Sequence, residues 1–97
     1  MTRTTGRPAM FLLGRVMATP AALRALANVD RDAIDYVGRH VHGDWGEMGV
    51  DDATANTLAV FEGTRVVSSF ALPNGQQLLV ITEADRSATT VLLSSDY

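Results

Sequence analysis

The chain predicts an α+β domain in the order β-α-α-α-β-β-β, with helices packed on a three- or four-stranded antiparallel sheet. Residues 64–97 read as three short strands joined by two tight turns, and residues 19–63 carry repeated helix start and stop signals. No internal repeat or low-complexity segment interrupts that order.

Residues 1–8, with Arg3, Arg7 and Pro8 among Thr and Gly, read as a flexible N-terminal tail, leaving 9–97 as one domain. Ala9 to Ala18 is apolar apart from Gly14 and Arg15 and reads as a strand or a core-packing extended arm, with Gly14 marking a bulge or close approach. Thr19-Pro20 starts a helix over Pro20 to Asn28, because Thr caps and Pro fits the first helical position, with Ala22, Leu23, Leu26 and Ala27 on one side. Asp30 caps a second helix from Arg31 to about Val41. Its inward face is Ile34, Val37 and Val41, and Gly43 stops it. A third helix begins at Asp51 or Asp52 and runs through Glu62, with Leu58 and Phe61 inward and Gly63 ending it.

Asn74-Gly75 between strand-like runs signals a hairpin, since these residues tolerate the positive φ that a two-residue type I′ turn requires. That loop pairs Leu72 with Gln77, Phe70 with Leu79, Ser68 with Ile81 and Val66 with Glu83. The second turn, Ala84 to Ser87, pairs Thr82 with Thr89, Ile81 with Thr90, Val80 with Val91 and Leu79 with Leu92. One sheet face then holds Val66, Phe70, Leu79, Ile81 and Leu92 against the helices. The other holds Val67, Ala71, Leu78, Val80, Val91 and Leu93, too apolar to be bare, so another element or a second copy of the chain covers it.

The totals narrow the functional classes. Ninety-seven residues make one domain, and a hydrophobic content of 46% with 20% charged residues is ordinary for a globular one. Without cysteine there is no disulfide framework and no thiolate metal site. The longest apolar run is too short for a bilayer, which points to a soluble, cytoplasmic protein with no membrane partner. A net charge of −3 with no basic stripe argues against nucleic acid as a partner other than as a substrate.

Two stretches could carry chemistry. In 40–45, His40 or His42 is poised for acid/base work near neutral pH, with Asp44 and Trp45 as binding neighbours. A metal held by His40, His42 and Asp44 is disfavoured, because residues two apart do not share a helix face, so no metal and no cofactor is assigned. The structural alternative has His40 and Arg39 complementing a helix C-terminus, His42 capping the loop and Trp45 filling the core. In 82–90, Glu83, Arg86 and Thr89 offer an acid, a phosphate-binding guanidinium and a hydroxyl, with Asp85 and Ser87 as binding neighbours. The same residues also make a well-formed turn, with Asp85 accepting turn N–H groups and Arg86 pairing with Glu83.

Leu13 to Pro20, His40 with His42 to Gly46, and Ile81 to Leu93 together resemble a group of small uncharacterised proteins carried on bacterial plasmids, integrative elements and phages. Members share an LG-x-V-x-AT-P start, an H-x-x-GDWG-like centre and an ITEADRSATTVLL-like end. The resemblance implies a plasmid-related role or an association with restriction systems. A second similarity, of architecture alone, is to the barnase/RelE-like ribonucleases. It implies His40 or His42 as acid/base group, Arg86 on the scissile phosphate, and Glu83 or Thr89 orienting.

The resulting expectation is a small non-enzymatic accessory protein of a mobile element, working through protein–protein contact on an unknown partner, with a host defence component as one setting and a homodimer compatible with it. The alternative is the ribonuclease, or another nucleotide-acting enzyme, using His40 or His42 with Arg86.

Overall fold

The computed structural model describes residues 9–97, and the expected tail, residues 1–8, lies outside the described residues. The order is β1 (Arg15–Ala18), α1 (Pro20–Asn28), α2 (Ala33–Val41), α3 (Val50–Glu62), β2 (Val66–Ala71), β3 (Gln77–Thr82) and β4 (Ala88–Leu93), closed by a 3₁₀ turn at Ser94–Asp96. This is the predicted α+β order, with the sheet arranged β1-β4-β3-β2.

The sheet is mixed rather than wholly antiparallel. β1 runs parallel to β4, Val16 beside Thr89 and Ala18 beside Val91, while the other two pairings are antiparallel. The first strand is also shorter than Ala9 to Ala18. Gly14, at φ +65°, turns the chain into it, and a Cβ there would overlap the backbone of Arg86 and Ser87. The close approach read from this glycine is therefore present, against the second hairpin turn.

The second hairpin has the expected register, with Thr82 opposite Thr89 and Val80 opposite Val91. The first is displaced by one residue. Val66 faces Thr82 and Phe70 faces Leu78, because Pro73, Asn74 and Gly75 form a three-residue loop. Leu72 donates to the Gln76 carbonyl at 2.8 Å, and only Gly75 takes positive φ, at +89°. Proline explains the difference: its fixed φ near −65° suits the first central position of a type I turn, followed by a left-handed glycine. A slip of one residue moves every β2 side chain to the opposite face relative to β3. The helix-covered face is accordingly Val66, Ser68, Phe70, Leu78, Val80, Thr82, Thr89, Val91 and Leu93, all buried. Leu79 and Leu92, paired with each other, lie on the other side, each partly exposed, while Ile81, opposite Thr90 on the same face, is buried.

Helix faces differ from expectation in part. Ala22, Ala25 and Leu26 of α1 join Tyr36 and Val37 of α2 in the main core, under Phe70, Leu78, Val80 and Val91. Leu23, Ala27 and Ile34 are exposed, since each helix is short and buries only a narrow stripe. Thr19 caps α1 as predicted, its hydroxyl accepting from Ala22 N–H at 3.2 Å. Asp32, not Asp30, occupies the cap position of α2, because Asp30 sits in the linker at φ +57°. Gly49 rather than Asp51 or Asp52 precedes α3, and Gly63 ends it in the left-handed region.

Candidate functional site

The most polar part of the interior is a chain of hydroxyls through one imidazole. α2 drops His40 onto the sheet, where β2 supplies Ser68, β3 Thr82 and β4 Thr89, and all four residues have 0% exposure. His40 Nδ1 lies 2.6 Å from Ser68 Oγ and Nε2 lies 2.9 Å from Thr82 Oγ1. Thr82 Oγ1 lies 2.7 Å from Thr89 Oγ1, which reaches the Leu13 carbonyl at 2.8 Å.

Proton directions follow from the last member. A carbonyl only accepts, so Thr89 spends its single proton on Leu13. Thr82 must then donate to Thr89, and His40 must donate Nε2–H to Thr82. Counting protons thus places a hydrogen on Nε2, and among the described residues no buried side-chain nitrogen or oxygen is left without a partner.

Aromatic rings wall this centre. Phe11 stands edge-on to His40 at 5.2 Å between centroids, Trp45 edge-on at 6.0 Å, and Phe11 stacks with Trp45 at 6.3 Å. The Arg86 guanidinium lies 5.5 Å from the Phe11 ring centre. Burial, reinforced by the Arg86 charge, pushes His40 down to about 4. The imidazole is therefore neutral at pH 7, which leaves Nδ1 bare to accept from the Ser68 hydroxyl.

Arg86 is a strut between elements. At φ +61° its side chain donates to the carbonyls of Thr64 at 2.6 Å, Glu83 at 3.1 Å and Ala59 at 3.1 Å, tying the β3–β4 turn to the end of α3. It meets the Glu83 backbone, not the carboxylate expected to pair with it, because carbonyls at a helix end and a turn converge there. Asp85 accepts from Ser87 N–H at 3.0 Å, and the Ser87 bonds hold its carboxyl below the usual range. His42 Nδ1 bonds the Gly38 carbonyl at 2.7 Å, and Asp44 pairs with Arg39 at 2.7 Å and accepts from Gly46 N–H.

Of the residues singled out from sequence, the structure brings together His40 and Thr89 through Thr82, with Trp45 and Arg86 on the surrounding shell. His42 and Asp44 bond within the α2 end and its loop, Asp85 and Ser87 bond each other, and the Glu83 side chain is exposed. Among the described residues no group of three or more His, Asp or Glu is placed to hold a metal ion, and no helix is long and apolar enough to cross a membrane. Sequence reasoning missed Phe11 and Ser68. A serine between inward Val66 and Phe70 was the available signal for Ser68, and the actual hairpin register adds Thr82 and Thr89 to the same face.

A second feature lies on α3, and Asn56 sets it. Its side chain accepts from Val67 N–H at 3.1 Å and donates to the Val67 carbonyl, satisfying the free edge of β2. Beside it, Glu47 N–H donates to the Ser69 carbonyl and Ser69 N–H to the Trp45 carbonyl, and Gly46 allows this approach because a Cβ would overlap Ser69. With Asn56 and Ala59 turned to the sheet, the opposite side of the helix faces solvent. Val50 is 82% exposed, Leu58 52% and Phe61 80%, so Leu58 and Phe61 point outward, contrary to the sequence expectation. At 100° per residue, Val50, Leu58 and Phe61 fall within one quadrant, with Thr54 between them.

No family model, curated protein or solved structure matches this chain.

Proposed function

We propose that this protein is a non-enzymatic accessory protein that works by protein–protein contact, with the outward face of α3 as its contact surface. The observation that carries the reading is the apolar stripe of Val50, Leu58 and Phe61 on a helix whose other face is pinned to the sheet by Asn56. Exposed aromatic and branched side chains on one rigid face are what a helix-docking interface presents. The bacterial mobile-element setting, with a host defence component as target, rests on the sequence resemblance alone.

The ribonuclease alternative needs a reachable acid/base group and a free guanidinium. His40 has 0% exposure with both ring nitrogens bonded, His42 turns Nδ1 to the Gly38 carbonyl at the end of α2, and Arg86 bonds three carbonyls, so the fold uses these groups before any substrate could. The test pairs two assays. A photoreactive benzoylphenylalanine at Phe61, expressed in bacterial cells, is expected to give a discrete adduct that the same probe at Arg31 does not. Purified protein is expected to leave single-stranded RNA intact. RNA cleavage by the wild type that is lost in a folded Arg86→Ala variant would overturn the reading.

A further inference from the structure

From the charge around the α3 stripe we infer that its partner is a basic amphipathic helix, with apolar anchors on one face flanked by lysine or arginine. This rests on the contact reading above and adds the partner's chemistry.

None of the thirteen residues of α3 is basic, and its charges are Asp51, Asp52 and Glu62, all exposed. Asp51 and Glu62 are eleven positions apart, close to three full turns, so both lie on the same flank of the stripe, next to Leu58. They stand at opposite ends of the helix, about 16 Å apart along its axis. Glu62 is set against the helix dipole, which favours cations at that end. Arg86 sits at that end, bonded to the neutral Ala59, Thr64 and Glu83 carbonyls, and keeps its positive charge. Residues 51–97 contain one other basic residue, Arg65, which bonds the Tyr97 hydroxyl at 2.6 Å with its guanidinium over that ring. The charges that α3 itself sets along the flank of the stripe are therefore all carboxylates, while the two nearby arginines are held on neutral groups beyond the helix end.

A second copy of the chain fits this face poorly. Antiparallel pairing of two α3 stripes sets Asp51 of one copy beside Glu62 of the other at both ends, and parallel pairing aligns two helix dipoles. Each copy also carries a net charge of −3. A partner with cations spaced like Asp51 and Glu62 gains at both ends and excludes acidic competitors.

The probe is a synthetic eighteen-residue Leu/Lys amphipathic helix, with a Leu/Glu peptide of the same apolar pattern as its counterpart, titrated into the full chain at low salt. The Leu/Lys peptide is expected to bind. Affinity should fall at least tenfold in Leu58→Ser/Phe61→Ser and severalfold in Asp51→Asn/Glu62→Gln or in 0.5 M salt. All four positions are solvent-exposed, and unchanged melting temperatures would show that the variants remain folded. Equal binding of the Leu/Glu peptide, or no effect of the charge variant, overturns the basic-partner inference while leaving the contact surface standing. Binding of neither peptide, or binding indifferent to the Ser variant, overturns both. Sedimentation as a dimer that Phe61→Ser dissociates overturns the inference in favour of a second copy.

Discussion

Acid should unfold this domain early, and one residue should account for it. His40 is neutral in the folded protein with its protonation point at about 4, against about 6.5 in an unfolded chain. The folded-state value is depressed, so the unfolded chain binds the extra proton first. The stabilisation is fully present above pH 6.5 and is lost as pH falls from 6.5 toward 4. The full difference corresponds to about 3 kcal/mol, of which about 2 kcal/mol is gone by pH 5, where surface carboxylates are still mostly ionised. For a domain of this size that lowers the melting temperature by roughly 8–16 °C. Urea unfolding at pH 7.5, 6 and 5 measures it, with His40→Leu expected to flatten the slope. A His40 imidazole titrating near 6.5 by NMR, or an undiminished slope in His40→Leu, would refute the buried, directionally bonded histidine.

Other consequences follow from the same contacts. Thr82→Val removes both the acceptor of His40 Nε2–H and the donor to Thr89, and should cost about 2–3 kcal/mol in urea unfolding. Asn56→Ala strips the β2 edge of both its bonds at Val67 and should lower stability by about 1–3 kcal/mol, with faster hydrogen exchange at Val67. Gly14→Ala forces a Cβ into the Arg86–Ser87 backbone at positive φ, and a loss of less than about 1 kcal/mol in melting experiments would contradict that packing.

Much of the fold was legible because local signals and tertiary packing agree. Thr19-Pro20 marks α1, Gly43 and Gly63 close α2 and α3, and the Ala84 to Ser87 turn gives the correct pairing of Thr82 with Thr89. The first hairpin was misread because Asn74-Gly75 was weighed without Pro73, whose ring selects the longer loop. That single residue put Thr82 and Thr89 on the sheet face opposite Ser68 on paper and so separated the partners of His40. α3 failed differently. Leu58 and Phe61 look like core residues by hydrophobicity, but Asn56, a polar residue in mid-helix, determines which side meets the sheet. A rule that buries the apolar face cannot detect a helix that spends an amide on a strand edge and leaves its apolar side facing solvent. Phe11 escaped notice because it precedes β1 in an irregular segment with no periodicity to read.

The most direct test of the contact surface is a map of backbone amide shifts on adding the Leu/Lys peptide. Shifts concentrated at Val50, Thr54, Leu58, Phe61 and Glu62, with Asn56 still bonded to Val67, are the predicted result. Shifts confined to the β1 edge, Arg15–Ala18, or to Leu79 and Leu92 on the sheet, with α3 unmoved, would contradict it.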